Sequence, residues 1–243
     1  MSLFFLIVLQ ANAYTILLDP GHGGEDRGAT RKITYKVNGK KRVKYYFEKD
    51  LVLPYARKIQ EKLRKKKYTV HLTRSLDRTI SLEKRAEIAE KVKADLFISI
   101  HMNSNFSSVS KGVETYYLDN HNDVAVKKVE EVENVGLAGG DLIVRQIITD
   151  LIVERTVKNS KNLALNIHYH LSKRVIKKFK MKDRKVRAGL FYVLALSKRP
   201  GVLLEVGFLS NSSDLKKILD PRFQDAYATA VVRGIDDYLK NKK

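Results

Sequence analysis

The sequence contains no cysteine. Disulfide frameworks, Cys-ligated zinc, iron–sulfur clusters and cysteine nucleophiles are therefore excluded. A cysteine-free chain is compatible with an oxidising compartment. Acidic residues are scarce: 27 Asp and Glu stand against 47 Lys and Arg, a formal net charge of +20. Such a field steers anionic ligands inward and points to an anionic partner, whether nucleic acid, lipid head groups or acidic wall polymer. Long apolar runs are also missing. The stretch Leu3 to Leu9 is too short to span a bilayer. With Ala11-Asn12-Ala13 behind it, it resembles the end of a secretory signal peptide cleaved after Ala13, although no basic residue precedes it. The expectation is a soluble, exported protein with a signal remnant over residues 1–13. The chain also lacks a P-loop, a G-x-S-x-G elbow, a G-x-G-x-x-G loop and an H-E-x-x-H helix. It shows no internal repeat and no low-complexity linker.

What is present reads as alternating strands and helices. Short apolar runs at Tyr14–Asp19, Tyr68–Thr73, Leu96–Ile100, Val113–Leu118, Phe191–Leu196 and Val202–Val206 predict strands. Residues 31–47 alternate apolar and basic positions around Asn38-Gly39, which predicts a hairpin with a very basic polar face. Leu51, Tyr55, Ile59 and Leu63 mark one helix, started or kinked near Pro54. Leu82–Val92 is a second helix, capped by Thr79 or Ser81. Val126, Val129 and Val132 mark a short helix of poor intrinsic propensity, ended by Gly139-Gly140. Two further helices follow, one on Ile143, Ile147 and Leu151 and one on Leu163, Ile167, Leu171 and Val175, and Ala226, Ala230 and Leu239 lie on a closing helix. The pattern predicts a single α/β domain over residues 14–243, with a mostly parallel sheet flanked by helices and a helical insertion at about 120–180.

Three polar residues stand at the ends of apolar strands. His22 follows the first strand in Asp-Pro-Gly-His-Gly-Gly, His101 follows Leu96–Ile100, and Glu205 sits inside Val202–Gly207. Open α/β sheets bind ligands at these strand ends, and a carboxylate inside such a run is costly unless paired, metal-bound or functional. Two histidines and one carboxylate make a catalytic zinc set with a fourth position open. Glu48, before the first helix, is the best-placed carboxylate; Glu25 and Asp26 are alternatives beside His22. His71, His121, His168 and His170 read as surface or packing residues. The last two are two apart on a helix and cannot chelate together. Arg85, Arg187 and Asn103 are candidates for binding substrate, the arginines alternatively for holding loops. The Lys/Arg runs at 64–67 and 173–180 read as solvated faces that also suit an anionic polymer.

DPGHGGEDRGA, EKDL, LTRSLDRTISLEKRAEIAEKVKADLFISIHMNSN, KGVETYYL, DRKVRAGLFYVL and PGVLLEVGFLSN occur in that order. Together they resemble the zinc-dependent N-acetylmuramoyl-L-alanine amidases of bacterial cell-wall remodelling, from about Tyr14 to the last helix. The resemblance implies zinc held by His22, Glu48 and His101, and a glutamate, Glu205, that works on water. It implies peptidoglycan as substrate and the periplasm or cell wall as the place of action. The long basic hairpin before Glu48 and Pro54 after it depart from the family pattern. Residues 124–140 carry an acidic cluster, Glu130, Glu131 and Glu133, and Glu133-Asn134 followed by Gly139-Gly140 resembles the regulatory helix of division-associated members, which blocks the cleft until an activator protein draws it away. Glu133 would then take the fourth zinc position, with Glu131 next in line. Two rivals remain: another zinc amide hydrolase, such as a deacetylase or peptidase, and a non-catalytic module for anionic polymer. A nucleic-acid reader would need aromatic platforms or a known motif, and neither an RNP-like sequence nor a helix-turn-helix signature is found.

Overall fold

A computed structural model describes residues 14–121, 123–134 and 142–242. The signal-peptide expectation for residues 1–13 and the helix stop at Gly139-Gly140 lie outside the described residues, as do the side chains of Ile143 and Ile147.

Among the described residues, six strands form the main sheet: β1 (Thr15–Pro20), β4 (Thr69–Leu72), β5 (Leu96–Asn103), β6 (Val113–Leu118), β7 (Asp183–Gly189) and β8 (Gly201–Phe208). Their order is β4-β1-β5-β8-β6-β7. The pairs β1–β4, β1–β5, β5–β8 and β6–β7 are parallel, and only β6 against β8 is antiparallel. The expected single α/β domain with a mostly parallel sheet is therefore present. Parallel strands are covered on both faces and read as continuous apolar runs, and every residue of β5 and β8 is buried. The pleat sends Ile16 and Leu18 to one hydrophobic layer and Leu17 to the other.

The first layer is closed by α1 (Glu48–Lys65), the second half of α4 (Leu142–Leu171) and α7 (Pro221–Lys240). Tyr55, Ile59, Leu163, Ile167, Tyr227 and Ile235 pack there. The opposite layer holds α2 (Leu82–Lys91), α3 (Val124–Glu133) and α5 (Tyr192–Ser197). Between β8 and α7 lies a short helix, α6 (Ser212–Ile218). Pro54 sits in the second turn of α1 and removes one hydrogen bond to the carbonyl four residues earlier. Ser81 caps α2, its Oγ accepting from the Lys84 amide at 3.2 Å. Thr79, the other expected cap, accepts instead from the Glu25 amide.

Two expectations are corrected. Phe191–Leu196 is not a strand: Tyr192–Ser197 is the helix α5, packed through Val193, Leu194 and Ala195. A short apolar run fits a buried helix as well as a strand. The edge strand is instead β7, whose mixed Arg, Lys and Val sequence hides its alternation. The two helices expected across residues 143–175 are one 30-residue helix, α4, continued by a π-turn at Ser172–Ile176.

The basic hairpin forms as expected. Among the described residues, strands β2 (Thr30–Val37) and β3 (Lys40–Phe47) pair only with each other, around Asn38 and Gly39 at φ 50° and 77°. Positive φ at both turn residues matches the right-handed twist of the strands.

Candidate metal centre and active site

The carboxyl ends of β1, β5 and β8 lie side by side, because these strands are parallel neighbours. The loop after β1 turns sharply, with His22 itself at φ 55°. Gly21 is required by closeness: a Cβ there would lie 2.3 Å from the His101 ring. At Gly28 a Cβ would lie 2.5 Å from His22 and 2.6 Å from Glu48 Oε2.

Two arginines hold this loop through its carbonyls. Arg74, fully buried, donates to Pro20 O at 3.0 Å, Gly21 O at 2.8 Å and Lys49 O at 2.8 Å. Arg85 donates to His22 O at 2.9 Å and pairs with buried Asp19 at 2.5 Å. Burial pushes the Asp19 carboxyl up, but Arg85 and Thr73 outweigh it and hold it below its ordinary value. Arg85 thus holds the loop while also lining the cavity beside the centre. Sequence reasoning missed Arg74 and Asp19. A charged residue fully buried is rarely tolerated unless paired, but burial is not visible in the sequence.

His22, Glu48, His101 and Glu133 come together, with one candidate ligand atom from each within 4.8 Å of the others. Among the described residues no other such group is found. His22 Nε2 lies 3.2 Å from Glu48 and 3.4 Å from Glu133. His101 Nδ1 lies 3.2 Å from Glu48 and 2.7 Å from Glu133. Despite this closeness, His22 Nε2, His101 Nδ1 and Glu133 Oε2 are buried without a properly angled hydrogen bond. Buried polar atoms are nearly always bonded, so three such atoms facing one point call for a shared cation. Burial disfavours charge on both imidazoles. Even so, Glu48 and Glu133 push His22 well above its ordinary value, and His101 up to about 10. Burial also raises the carboxyls, yet the imidazoles hold Glu48 and Glu133 below theirs. A bound cation would supply that positive charge and leave the imidazoles neutral, as ligation requires. The donor set fits zinc, which takes nitrogen and carboxylate oxygen in four-coordinate sites.

The outer contacts orient these groups. His22 Nδ1 is 2.8 Å from Asp26, which directs Nε2 to the centre. Asp26 is thus a partner of the histidine and lies outside the metal group; Glu25 lies outside it as well. Glu48 Oε2 accepts from the Ala29 amide at 2.8 Å and Oε1 from the Met102 amide at 2.7 Å. Glu205 stands opposite His101 in the β5–β8 register, fully buried, with both oxygens unpartnered. Burial, and then the charge of Glu133, raise its carboxyl well above the usual range.

Asn103 and Arg187, expected at the substrate, share a buried carboxylate. Asn103 Nδ2 donates to buried Glu114 at 2.8 Å. Arg184 Nε reaches Glu114 at 2.7 Å, and Arg187 bridges Glu114 and Asp123. Glu114 collects them, and sequence reasoning did not single it out. His168 is buried between Thr115 and Asp183, each at 2.9 Å, and His170 pairs with Asp237. Both are packing residues.

Helix α3 delivers Glu133. It is latched by Glu130, which bonds His121 Nε2 and the Leu190 amide, each at 2.5 Å. Asn134 donates to Leu190 O and accepts from the Tyr192 amide, each at 2.9 Å. Glu131, the alternative ligand, is exposed. An open cavity of about 570 Å³ next to the centre is lined by His22, Asp26, Arg85, His101, Glu133 and Val193, among others.

Fold and site define an α/β enzyme with a metal-competent centre at its strand ends. Residues 16–237 match the N-acetylmuramoyl-L-alanine amidase family, and the chain belongs to it. It is 33% identical over 233 residues to the N-acetylmuramoyl-L-alanine amidase AmiA of Escherichia coli, covering 92% of this chain and 75% of AmiA. The crystal structure of an N-acetylmuramoyl-L-alanine amidase from Clostridium difficile superposes with a TM-score of 0.67 at 31% identity, covering 96% of this chain and all of that one. The CwlD amidase from Clostridioides difficile, solved in complex with the GerS lipoprotein, gives a TM-score of 0.68 at 27% identity, covering 94% of this chain and 99% of that one. The chain is therefore a peptidoglycan amidase, which cleaves the bond between N-acetylmuramic acid and L-alanine. The polymer-binding module and the other amide hydrolases give way to that activity.

Proposed function

We propose that this amidase is a zinc enzyme held in a resting state by its own α3 helix. The observation that carries the reading is the convergence of His22 Nε2, His101 Nδ1 and Glu133 Oε2 beside Glu48, each buried without a hydrogen-bond partner. His22, Glu48 and His101 would hold the ion, and Glu133 would fill the position a working site leaves open. Bound zinc supplies a Lewis acid for the scissile carbonyl and an acidified water, its pKa brought from ~15.7 to about 7. Glu205 takes a proton from the attacking water and delivers it to the L-alanine nitrogen as the C–N bond breaks. Its dry, unpartnered position lets it hold that proton between the two steps.

In this resting state α3 occupies the cleft, and only a ligand that favours the open state can move it. A partner protein that binds α3, or the surface under it, is the natural activator. CwlD, a relative solved with a second protein, supports such a partner. The peptidoglycan substrate and relatives such as "Probable cell wall amidase LytH" of Staphylococcus aureus support export to the periplasm or cell wall. Work at the division site belongs to the same proposal. Among the described residues no helix is long and apolar enough to cross a membrane.

Metal analysis tests the reading. The purified chain should carry one zinc, His22→Ala should lose it, and Glu133→Ala should keep it while hydrolysing wall faster than the parent. Full zinc in His22→Ala would overturn the ligand set. Slower hydrolysis by a zinc-loaded Glu133→Ala would overturn the resting state.

A further inference from the structure

The β2–β3 hairpin has no place in the amidase chemistry, yet it is rooted in the site. It leaves the chain at Gly28-Ala29, whose Ala29 amide donates to Glu48, and returns at Phe47, directly before Glu48. Ile33 and Tyr46 anchor its base on the core. Its eight-residue strands reach about 25 Å.

Its composition is one-sided. Arg31, Lys32, Lys36, Lys40, Lys41, Arg42 and Lys44 lie on it with no acidic residue from Thr30 to Phe47. Among the described residues none of these cations forms an ion pair; the ion pairs all involve other basic groups. Lys36 and Lys41 face each other directly across the strands. Like charges opposite one another destabilise a ladder, and a free two-stranded ribbon is only marginally stable in water. The hairpin thus retains a charge array that works against its own folding.

Aromatic rings stand among the cations. Tyr35 is 45% and Tyr45 51% exposed. The Tyr45 and Phe47 rings are parallel within 7° at 6.2 Å, with Lys32 over Tyr45 and Arg27 over Phe47. Exposed flat rings accept the apolar face of a sugar, and the lysines accept carboxylates. The substrate, taken from the family assignment on which this inference rests, has both features. A peptide whose first amino group is acylated by muramic acid has no ammonium there, and it ends in a carboxylate.

We infer that the β2–β3 hairpin is a second substrate-binding surface, an arm that holds a peptide-bearing glycan strand of the wall beside the cleft that cuts it. Charge complementarity and continuity with the site favour this occupant over a lipid surface. The arm lies outside the cavity that Glu133 enters, so it holds the wall in the resting state too.

The test uses the full chain and two variants, K32Q/K36Q/K40Q/K41Q/K44Q and Y35S/Y45S, each checked by thermal unfolding. Co-sedimentation is measured with purified peptidoglycan stripped of other anionic polymers, and with phosphatidylglycerol vesicles. The lysine variant should lose about tenfold or more in affinity for peptidoglycan at low salt and most of its salt dependence. The tyrosine variant should bind more weakly with the salt dependence kept. Equal peptidoglycan affinity in folded variants and parent overturns the arm, as does hairpin-dependent binding to the vesicles alone. Release of peptides with a new L-alanine amino terminus, read separately, reports on the amidase reading, so failure of one does not imitate failure of the other.

Discussion

At the scale of single residues, the site is a set of charges that burial alone would forbid. Glu205 is the clearest case: both oxygens are buried without a hydrogen-bond partner, and burial and the nearby Glu133 raise its carboxyl well above the usual range. If it moves protons and does not hold metal, Glu205→Gln keeps the shape and the zinc. It should lose roughly 10²–10⁴-fold in rate, the usual worth of general acid–base work. Loss of zinc from the folded variant would make Glu205 a ligand instead. Asp19 shows the structural use of a buried acid. Its carboxyl is lowered by Arg85 and Thr73 against the cost of burial. A lowered folded-state pKa means that the unfolded chain takes up the proton first as pH falls. The stabilisation is complete above the ordinary Asp pKa of about 3.9 and is lost as pH drops through the folded value. Asp19→Asn should therefore be less stable than the parent at pH 6, by about 3–5 kcal/mol if the whole buried pair is broken. It should also lose less stability than the parent between pH 5 and 3, as read from urea midpoints. Parallel pH profiles would show that Asp19 titrates alike in folded and unfolded chains.

At the scale of elements, the proposed release of α3 suits its composition. Five of its ten residues are Val or Ala, and the valines are poor helix formers. Val126 is buried, while Val124 and Val132 are exposed. Its hold rests on Glu130, Asn134 and the Glu133 carboxylate more than on packing. Segments with few buried apolar contacts open at the low end of the stability range. Replacing residues 124–140 with a short Gly/Ser loop should raise partner-free wall hydrolysis tenfold or more, which corresponds to about 1.4 kcal/mol of docking. Unchanged or lower activity, with zinc and fold retained, would assign α3 to the architecture. The hairpin is the opposite kind of element, held at its root and carrying its charge outward.

At the scale of the whole molecule, the mostly parallel sheet sets the site over the carboxyl ends of its inner strands and leaves most of the surface to the +20 charge. Besides the hairpin, Lys173, Arg174, Lys178 and Arg222 line an open groove of about 690 Å³. Exposed charges are screened within ~8–10 Å at physiological ionic strength. Binding to insoluble wall should therefore weaken steadily as salt rises, measured by sedimentation of the full chain. Binding indifferent to salt would assign the affinity to uncharged contacts instead.

Much of this was legible in the chain because its signals are local. Apolar runs buried on both faces read as strands, Asn38-Gly39 demanded a two-residue turn, and a lone carboxylate in Val202–Gly207 had to be functional or paired. The apolar runs alone place His22, His101 and Glu205 at strand ends, and the ordered motifs point to Glu48. Other features depended on distance across the fold. Phe191–Leu196 became a helix because its apolar run carries no period that separates strand from helix, and the packing around Phe97 and Tyr116 decided. Asn103 and Arg187 turned to Glu114, and Arg85 to Asp19, because a buried carboxylate draws donors from elements far away in sequence. The choice of Glu133 over Glu131 was also tertiary. Neighbouring helical residues point about 100° apart for each step, and only the docking of α3 decides which of them meets His22 and His101.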